Sequence, residues 1–269
     1  MNIKPIASVA LISAVALAFA GCASNEGAAT TQTLSGSGAS SQQSAQTTWV
    51  AAFQKANPTV TVNYAPDGSG AGRTAFTSGA VQFAGSDRPL KDEEMGAGKF
   101  AGCAADSNAL NLPVYVSPIA VIFKLDGVTD LQFSPNTLAG IFAGKITKWN
   151  DPAIVKDNPS AKLPDAAITA VHRADDSGTT NNFTDTLNKL APDVWTQPAS
   201  DTFPAAFGGE AANKTAGVVS AVSSGTGTIG YADASAAKDV SIASLLVNGK
   251  ALKPTRSEER RVGKECRSR

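Results

Sequence analysis

The chain has a single histidine, His172, and only three cysteines, Cys22, Cys103 and Cys266, among 269 residues. No cluster of His, Cys and carboxylate side chains has metal-ligand spacing, so neither a metal nor a cofactor is expected. Net charge is also lacking: Lys and Arg together number 23 and Asp and Glu 23, with no basic patch, which argues against a nucleic-acid partner. The long apolar run, Ile6 to Ala20, is too short for a comfortable membrane span. No internal repeat is found. No Gly-x-Ser-x-Gly elbow, the mark of a hydrolase nucleophile, surrounds Ser177.

The two ends carry signals of their own. Lys4 precedes the apolar run, and the small residues Ala20 and Gly21 stand directly before Cys22, which predicts a signal peptide over residues 1–21. The junction resembles the lipobox of bacterial lipoproteins, with Phe19 where leucine is commoner. That resemblance implies cleavage before Cys22 and diacylglycerol attached to its sulfur; ordinary cleavage leaving a free Cys22 is the alternative. Residues 22–33 are small and polar, as a lipid-anchored flexible tether would be.

At the other end, residues 256–269 break sharply from an Ala/Gly/Thr-rich body. One reading is a charged, solvated tail. The expectation taken forward is different: Arg256 to Gly263, written as AGA-TCG-GAA-GAG-CGT-CGT-GTA-GGG, match a sequencing-library adapter translated in frame. The fold is then expected to be C-terminally truncated after Thr255. Without the six basic and three acidic residues of that segment, 17 basic side chains face 20 acidic ones. An anion site in so mildly acidic a body has to rely on local donors. Cys103 is left alone in an exported chain and is expected to pair with a cysteine beyond Thr255, a buried free thiol being the alternative.

One local design recurs: a strand, a Gly/Ser stretch, then a helix. The apolar run Ala167 to Val171 predicts a buried strand; His172-Arg173-Ala174-Asp175-Asp176 make a turn, and Ser177 is a good N-cap for a helix through Phe183 and Leu187 to about Leu190. The N–H groups of Gly178 and Thr179 then point outward at the positive end of a helix dipole, beside the Arg173 fork and the hydroxyls of Ser177 and Thr179. An oxyanion is the natural guest. Leu34-Ser35-Gly36-Ser37-Gly38-Ala39-Ser40-Ser41 forms a second such stretch, leading to a helix with Trp49 and Phe53 on one face. A third, Asp67-Gly68-Ser69-Gly70-Ala71-Gly72, follows the strand Val60 to Tyr64 and leads to a short helix from about Arg73; a short strand, Ala80 to Ala84, ends at Gly85-Ser86-Asp87-Arg88-Pro89. A lone Gly/Ser stretch is usually just a turn. Three at strand-to-helix junctions make a constellation.

Between signal and tail, about 220 residues suffice for two modest lobes of α/β type with helices on the sheet faces. Leu112 to Phe123 is a long apolar run broken by prolines, suited to crossing from one lobe to the other. The first part of lobe 1 is assigned to residues 34–114, and lobe 2 with the start of an incomplete return to lobe 1 to residues 115–255. Anion ligands on loops of both lobes imply a cleft that closes about a hinge of crossing strands.

These stretches, together with Ile141-Phe142-Ala143-Gly144-Lys145-Ile146, Trp149-Asn150-Asp151 and Gly227-Thr228-Ile229-Gly230-Tyr231, resemble the phosphate-binding lipoproteins of bacterial phosphate ABC transporters. The resemblance spans roughly Leu34 to Thr255. It implies a two-lobed periplasmic-binding-protein-like fold of type II, binding of inorganic phosphate outside the cytoplasm, and delivery to an ABC transporter permease from a lipid anchor on the outer face of the cell membrane. It implies phosphate ligands at Ser40 (hydroxyl) and Ser41 (backbone N–H), Ser69, Asp87, Arg173, Ser177, Gly178 and Thr179. Ser41 and Gln42 replace the family's usual aromatic residue and proline.

Asp87 is the expected selectivity element. A carboxylate only accepts hydrogen bonds, so a phosphate that keeps a proton can donate to it while sulfate meets bare repulsion, at a cost of about 1 to 3 kcal/mol or more. The alternative is that Asp87 caps or pairs with Arg88. Asp175 or Asp176 is expected to brace Arg173. A receptor for sulfate, molybdate or another oxyanion is the nearest rival function. A serine hydrolase or phosphatase using His172, Ser177 and Asp175 or Asp176 is the rival from another class, disfavoured because His172 and Arg173 point to opposite faces of their strand.

Overall fold

The computed structural model describes residues 32–254. The signal peptide, Cys22 and its lipidation, most of the tether, and the adapter-like tail lie outside the described residues. In chain order the elements are β1 (Gln32–Gly38), α1 (Gln43–Ala56), β2 (Val60–Ala65), α2 (Ser69–Thr77), β3 (Phe83–Gly85), β4 (Ile119–Lys124), β5 (Gln132–Phe133), α3 (Pro135–Phe142), α4 (Pro152–Asp157), β6 (Thr169–Arg173), α5 (Gly178–Leu190), β7 (Glu210–Ala212), α6 (Lys214–Ser224), β8 (Thr228–Asp233), β9 (Ser241–Val247) and β10 (Lys250–Leu252). Four short 3₁₀ turns, one of them Ser40–Gln42, connect them.

The architecture is α/β with two lobes, as expected. Lobe 1 carries a parallel sheet of order β2-β1-β3, with α1 joining β1 to β2 and α2 joining β2 to β3. Parallel neighbours need such crossovers, and they leave all three strands running the same way. Their carboxyl ends therefore deliver Ser40 and Ser41, Ser69, and Asp87 to one edge. Lobe 2 carries a mixed seven-stranded sheet of order β10-β9-β4-β8-β6-β7, with β5 beside β9. There β6 runs parallel to β7 and β8 and delivers Arg173 and Ser177 at its own carboxyl end. Ligand sites of open α/β sheets lie at such ends.

Several boundaries move. The Gly/Ser stretch after Leu34 is the central strand β1, not a loop, and it begins at Gln32, two residues inside the segment assigned to the tether. Its glycines are there for close packing: a Cβ on Gly36 would lie 2.2 Å from the Phe83 ring. The helix expected from about Arg73 starts at Ser69, where Gly68, at φ +103°, turns the chain and its carbonyl accepts the Gly72 N–H at 3.0 Å. Of the run Ala80 to Ala84 only Phe83 and Ala84 are strand, which ends at Gly85. Of the apolar run Leu112 to Phe123, strand begins at Ile119, and residues 112–118 cross outside either sheet.

Three helices open on side-chain caps. Ser134 before Pro135 accepts the Thr137 N–H, Asp151 before Pro152 accepts that of Ala153, and Ser177 accepts that of Thr180. Each such cap is worth about 1 kcal/mol.

Burial is uneven. Both hydrophobic clusters of the described residues lie in lobe 2; the larger includes Phe123, Phe133, Phe142, Trp149, Phe183, Trp195 and Tyr231. In the lobe 1 segment the buried apolar side chains are Ala39, Phe100 and Ala109, and α1 buries no side chain. Trp49 and Phe53 do share a face of α1, but both stay exposed, Trp49 meeting the edge of Tyr115. Cys103 is half-buried and makes no disulfide among the described residues; the partner expected for it beyond Thr255 lies outside them.

Candidate functional site

The two sets of strand ends meet. Asp87, half-buried just beyond β3, is the point on which lobe 1 and lobe 2 donors converge. Ser41 Oγ donates to its Oδ1 at 2.5 Å, Thr179 Oγ1 to its Oδ2 at 2.9 Å, and Ser69 Oγ lies 3.5 Å from the same Oδ2. Ser69 Oγ also accepts the Asp87 N–H at 3.2 Å. Asn182 Nδ2, one turn into α5, donates to the Asp87 carbonyl at 2.9 Å and to that of Gly178. Arg88 commits its guanidinium to Glu94 and Asp201, so it is no ion-pair partner holding Asp87 in place.

The two helices that open on this point do so through glycines that let backbone approach closely. Gly178 is the first residue of α5, and a Cβ there would lie 2.8 Å from both Asp87 Cβ and Ser69 Oγ. Gly70, in the first turn of α2, donates its N–H to the Asp176 carbonyl at 3.1 Å. The N-terminal turns of α2 and α5 thus face one another where the lobes meet, and both present the positive ends of their dipoles.

Arg173 is buried at the end of β6. Its Nε donates to Asp175 Oδ1 at 2.7 Å and its Nη2 to Asp175 Oδ2, so Asp175 is the brace. Burial alone would raise the Asp175 carboxyl pKa, but the hydrogen bonds and charge of Arg173 outweigh it and hold the group below its ordinary value. Asp176 is exposed, with Oδ1 on the Thr202 hydroxyl at 2.8 Å. Beneath them Tyr231 Oη accepts the Arg173 N–H at 3.3 Å and meets Thr180 Oγ1 at 2.8 Å. Burial pushes the Tyr231 hydroxyl up to about 12, so it serves as a neutral hydrogen-bonding post.

Ser40 stands apart from the Asp87 group. Its Oγ lies 3.0 Å from Thr215 Oγ1 and accepts the Thr215 N–H at 3.1 Å, tying lobe 1 to the first turn of α6. The hydroxyl facing Asp87 is that of Ser41, expected from the resemblance to contribute only its N–H. Sequence reasoning missed Thr215 and Asn182; neither lies in a Gly/Ser stretch, and their roles come from cross-lobe contacts. His172 stacks on Phe203 at a centroid distance of 4.2 Å, with Nδ1 3.0 Å from the Arg173 carbonyl. Ser177 Oγ accepts from Thr180 N at 3.2 Å. The two side chains are committed to different neighbours rather than to each other, which is not the geometry of a nucleophile and its base.

A sequence model of the PBP superfamily domain matches residues 23–262. The chain belongs to the PBP superfamily. The curated relative "Phosphate-binding protein PstS 3" of Mycobacterium tuberculosis is 38% identical to this PBP-superfamily chain over 242 residues, covering 84% of it and 64% of the relative's own length. Two solved structures share its fold. A phosphate ABC transporter substrate-binding protein with bound phosphate from Clostridium perfringens has a TM-score of 0.61 at 22% identity over 86% of this chain and 82% of its own. A high-affinity periplasmic phosphate-binding protein solved with phosphate at pH 8.5 has a TM-score of 0.64 at 25% identity, over 81% of this chain and 62% of its own.

Proposed function

We propose that this protein binds inorganic phosphate between its lobes and delivers it to an ABC transporter permease. The observation that carries the reading is the convergence of the Ser41, Ser69 and Thr179 hydroxyls on the Asp87 carboxylate. Donors that gather round one anionic group can gather round another. Phosphate brings its own proton to donate to Asp87, and the hydroxyls then turn to its remaining oxygens. Sulfate has no such proton near neutral pH and leaves Asp87 an unmatched acceptor.

The remaining ligands fit the same role. The Nε and Nη2 of Arg173 are engaged by Asp175, which orients the fork and leaves Nη1 for an oxyanion. The Gly178 and Thr179 N–H groups open α5, and Ser177, which accepts from Thr180, keeps its O–H to donate. Ser40 accepts the Thr215 N–H and, with Thr215 Oγ1 as donor to it, also keeps its own O–H for the anion. The names of the relatives, phosphate-binding proteins and a phosphate transporter component, support phosphate over other oxyanions. Anchoring through lipid on Cys22 would hold the protein at the outer face of the cell membrane, beside the permease.

Stoichiometric retention of radiolabelled phosphate, with no turnover of a chromogenic phosphate ester, is the result expected of a receptor. Turnover of the ester without retention would replace it with a hydrolase.

A further inference from the structure

Ion pairs bridge the lobes at two places among the described residues, and they differ in kind. Lys214 Nζ meets Asp67 Oδ1 at 2.8 Å with both side chains more than 40% exposed. At the other place Asp201, from the loop after α5, enters lobe 1 between two arginines whose side chains are 9% and 10% exposed, its own being 17%. Arg73 Nη2 pairs with Asp201 Oδ2, and Arg88 Nε lies 3.1 Å from Oδ1 and 3.0 Å from Oδ2.

Lobe 1 holds these arginines ready. Arg88 forks onto Glu94 at 2.6 and 2.8 Å, and Arg73 Nη1 donates to Ser86 Oγ at 2.9 Å. Within lobe 1 the group is two guanidiniums against the one carboxylate of Glu94. Asp201 supplies the missing negative charge, and only when the lobes meet.

Each member also lies one step from a residue that faces the anion. Arg73 is four residues after Ser69, one turn along the same face of α2. Arg88 follows Asp87 directly. The Asp201 carbonyl accepts the Ser177 N–H at 2.9 Å, so it fixes the cap of α5. A clasp formed here moves both walls of the anion site with it.

We propose that Asp201 is the cleft's clasp: a positioning residue that, seated between Arg73 and Arg88, stabilises the closed form and sets how long a bound phosphate stays. The phosphate part rests on the function proposed above. The closure part does not. Because the clasp is made on closure, its loss acts on release more than on capture.

Asp201→Asn, nearly isosteric, is expected to raise the phosphate dissociation rate about ten- to a hundredfold in stopped-flow displacement, with the association rate within about threefold of wild type. Asp201→Glu, which keeps the charge, is expected to recover most of the slow release. Small-angle scattering of the ligand-free protein should show a larger radius of gyration for Asp201→Asn than for wild type, with circular dichroism confirming that both are folded. Arg73→Gln removes one partner from the opposite lobe and is expected to move both readouts the same way, a second route should the first variant not fold. Wild-type release rates together with a wild-type scattering profile in the folded variants would overturn the clasp. If the wild-type protein fails to bind phosphate, the functional reading falls and scattering alone decides: an expanded Asp201→Asn supports the clasp, an unchanged one refutes it.

Discussion

Gly178 and Asp87 approach from opposite lobes so closely that a Cβ on the glycine would lie 2.8 Å from the Cβ of the aspartate. Gly178 is the first residue of α5 and is not among the glycines at positive φ, so the demand at this position is for space. Any side chain there separates the helix N-terminus from the carboxylate it faces.

Gly178→Ala is therefore expected to leave each lobe folded, with a melting temperature close to wild type, while lowering phosphate affinity about five- to a hundredfold. That range corresponds to the 1–3 kcal/mol typical of overpacking. Calorimetry beside thermal melting separates the two effects. An alanine variant binding as tightly as wild type would mean that closure does not bring these residues together.

Asp87→Asn turns the acceptor facing the anion into a group that can also donate. Sulfate then no longer meets an unmatched carboxylate, and the preference for phosphate over sulfate is expected to shrink by at least about tenfold. Competitive displacement of labelled phosphate by sulfate reads it directly. An unchanged ratio would remove Asp87 from the selectivity mechanism.

The parts of this fold visible in the sequence are those encoded locally. Ser134-Pro135 and Ser177-Gly178 announce helix starts because cap and first turn are neighbours in the chain; Asp151-Pro152 reads as a turn, yet it opens α4. Glycine misled where its reason was distant. Gly36 sits in a strand because the Phe83 ring lies over it, and Gly72 in a helix because Gly38 lies 2.4 Å from its would-be Cβ; without those partners both stretches look like loops. Asp201 has no local signature, since Arg73 and Arg88 lie more than a hundred residues away in the chain. Trp49 and Phe53 have the spacing of a packed helix face, yet both remain exposed, since spacing does not say what covers a face.

Acid should weaken the arginine cluster in a defined window. Hydrogen bonds from Arg88 hold the Glu94 carboxyl down to about 2, below its ordinary 4.5. A depressed folded-state value gives stability that is present above pH 4.5 and lost as pH falls toward 2. Glu94 is about a third exposed, so the effect is modest after solvent screening. Urea unfolding across that window is expected to depend more steeply on pH for wild type than for Glu94→Gln. Equal slopes would mean that the pair contributes nothing.

Tyr231→Phe removes the buried hydroxyl that accepts the Arg173 N–H and meets Thr180 Oγ1. Leaving these two groups without it is expected to cost about 1–3 kcal/mol in denaturant unfolding. The ultraviolet titration of this tyrosine, near pH 12 in the folded protein, should vanish with the substitution.

The most direct test of phosphate recognition is isothermal titration of the protein with inorganic phosphate, followed by arsenate and sulfate. Saturable one-to-one heat with phosphate, displacement by protonated, nearly isosteric arsenate and none by sulfate is the expected result. No heat with phosphate, or sulfate binding as tightly, would contradict it.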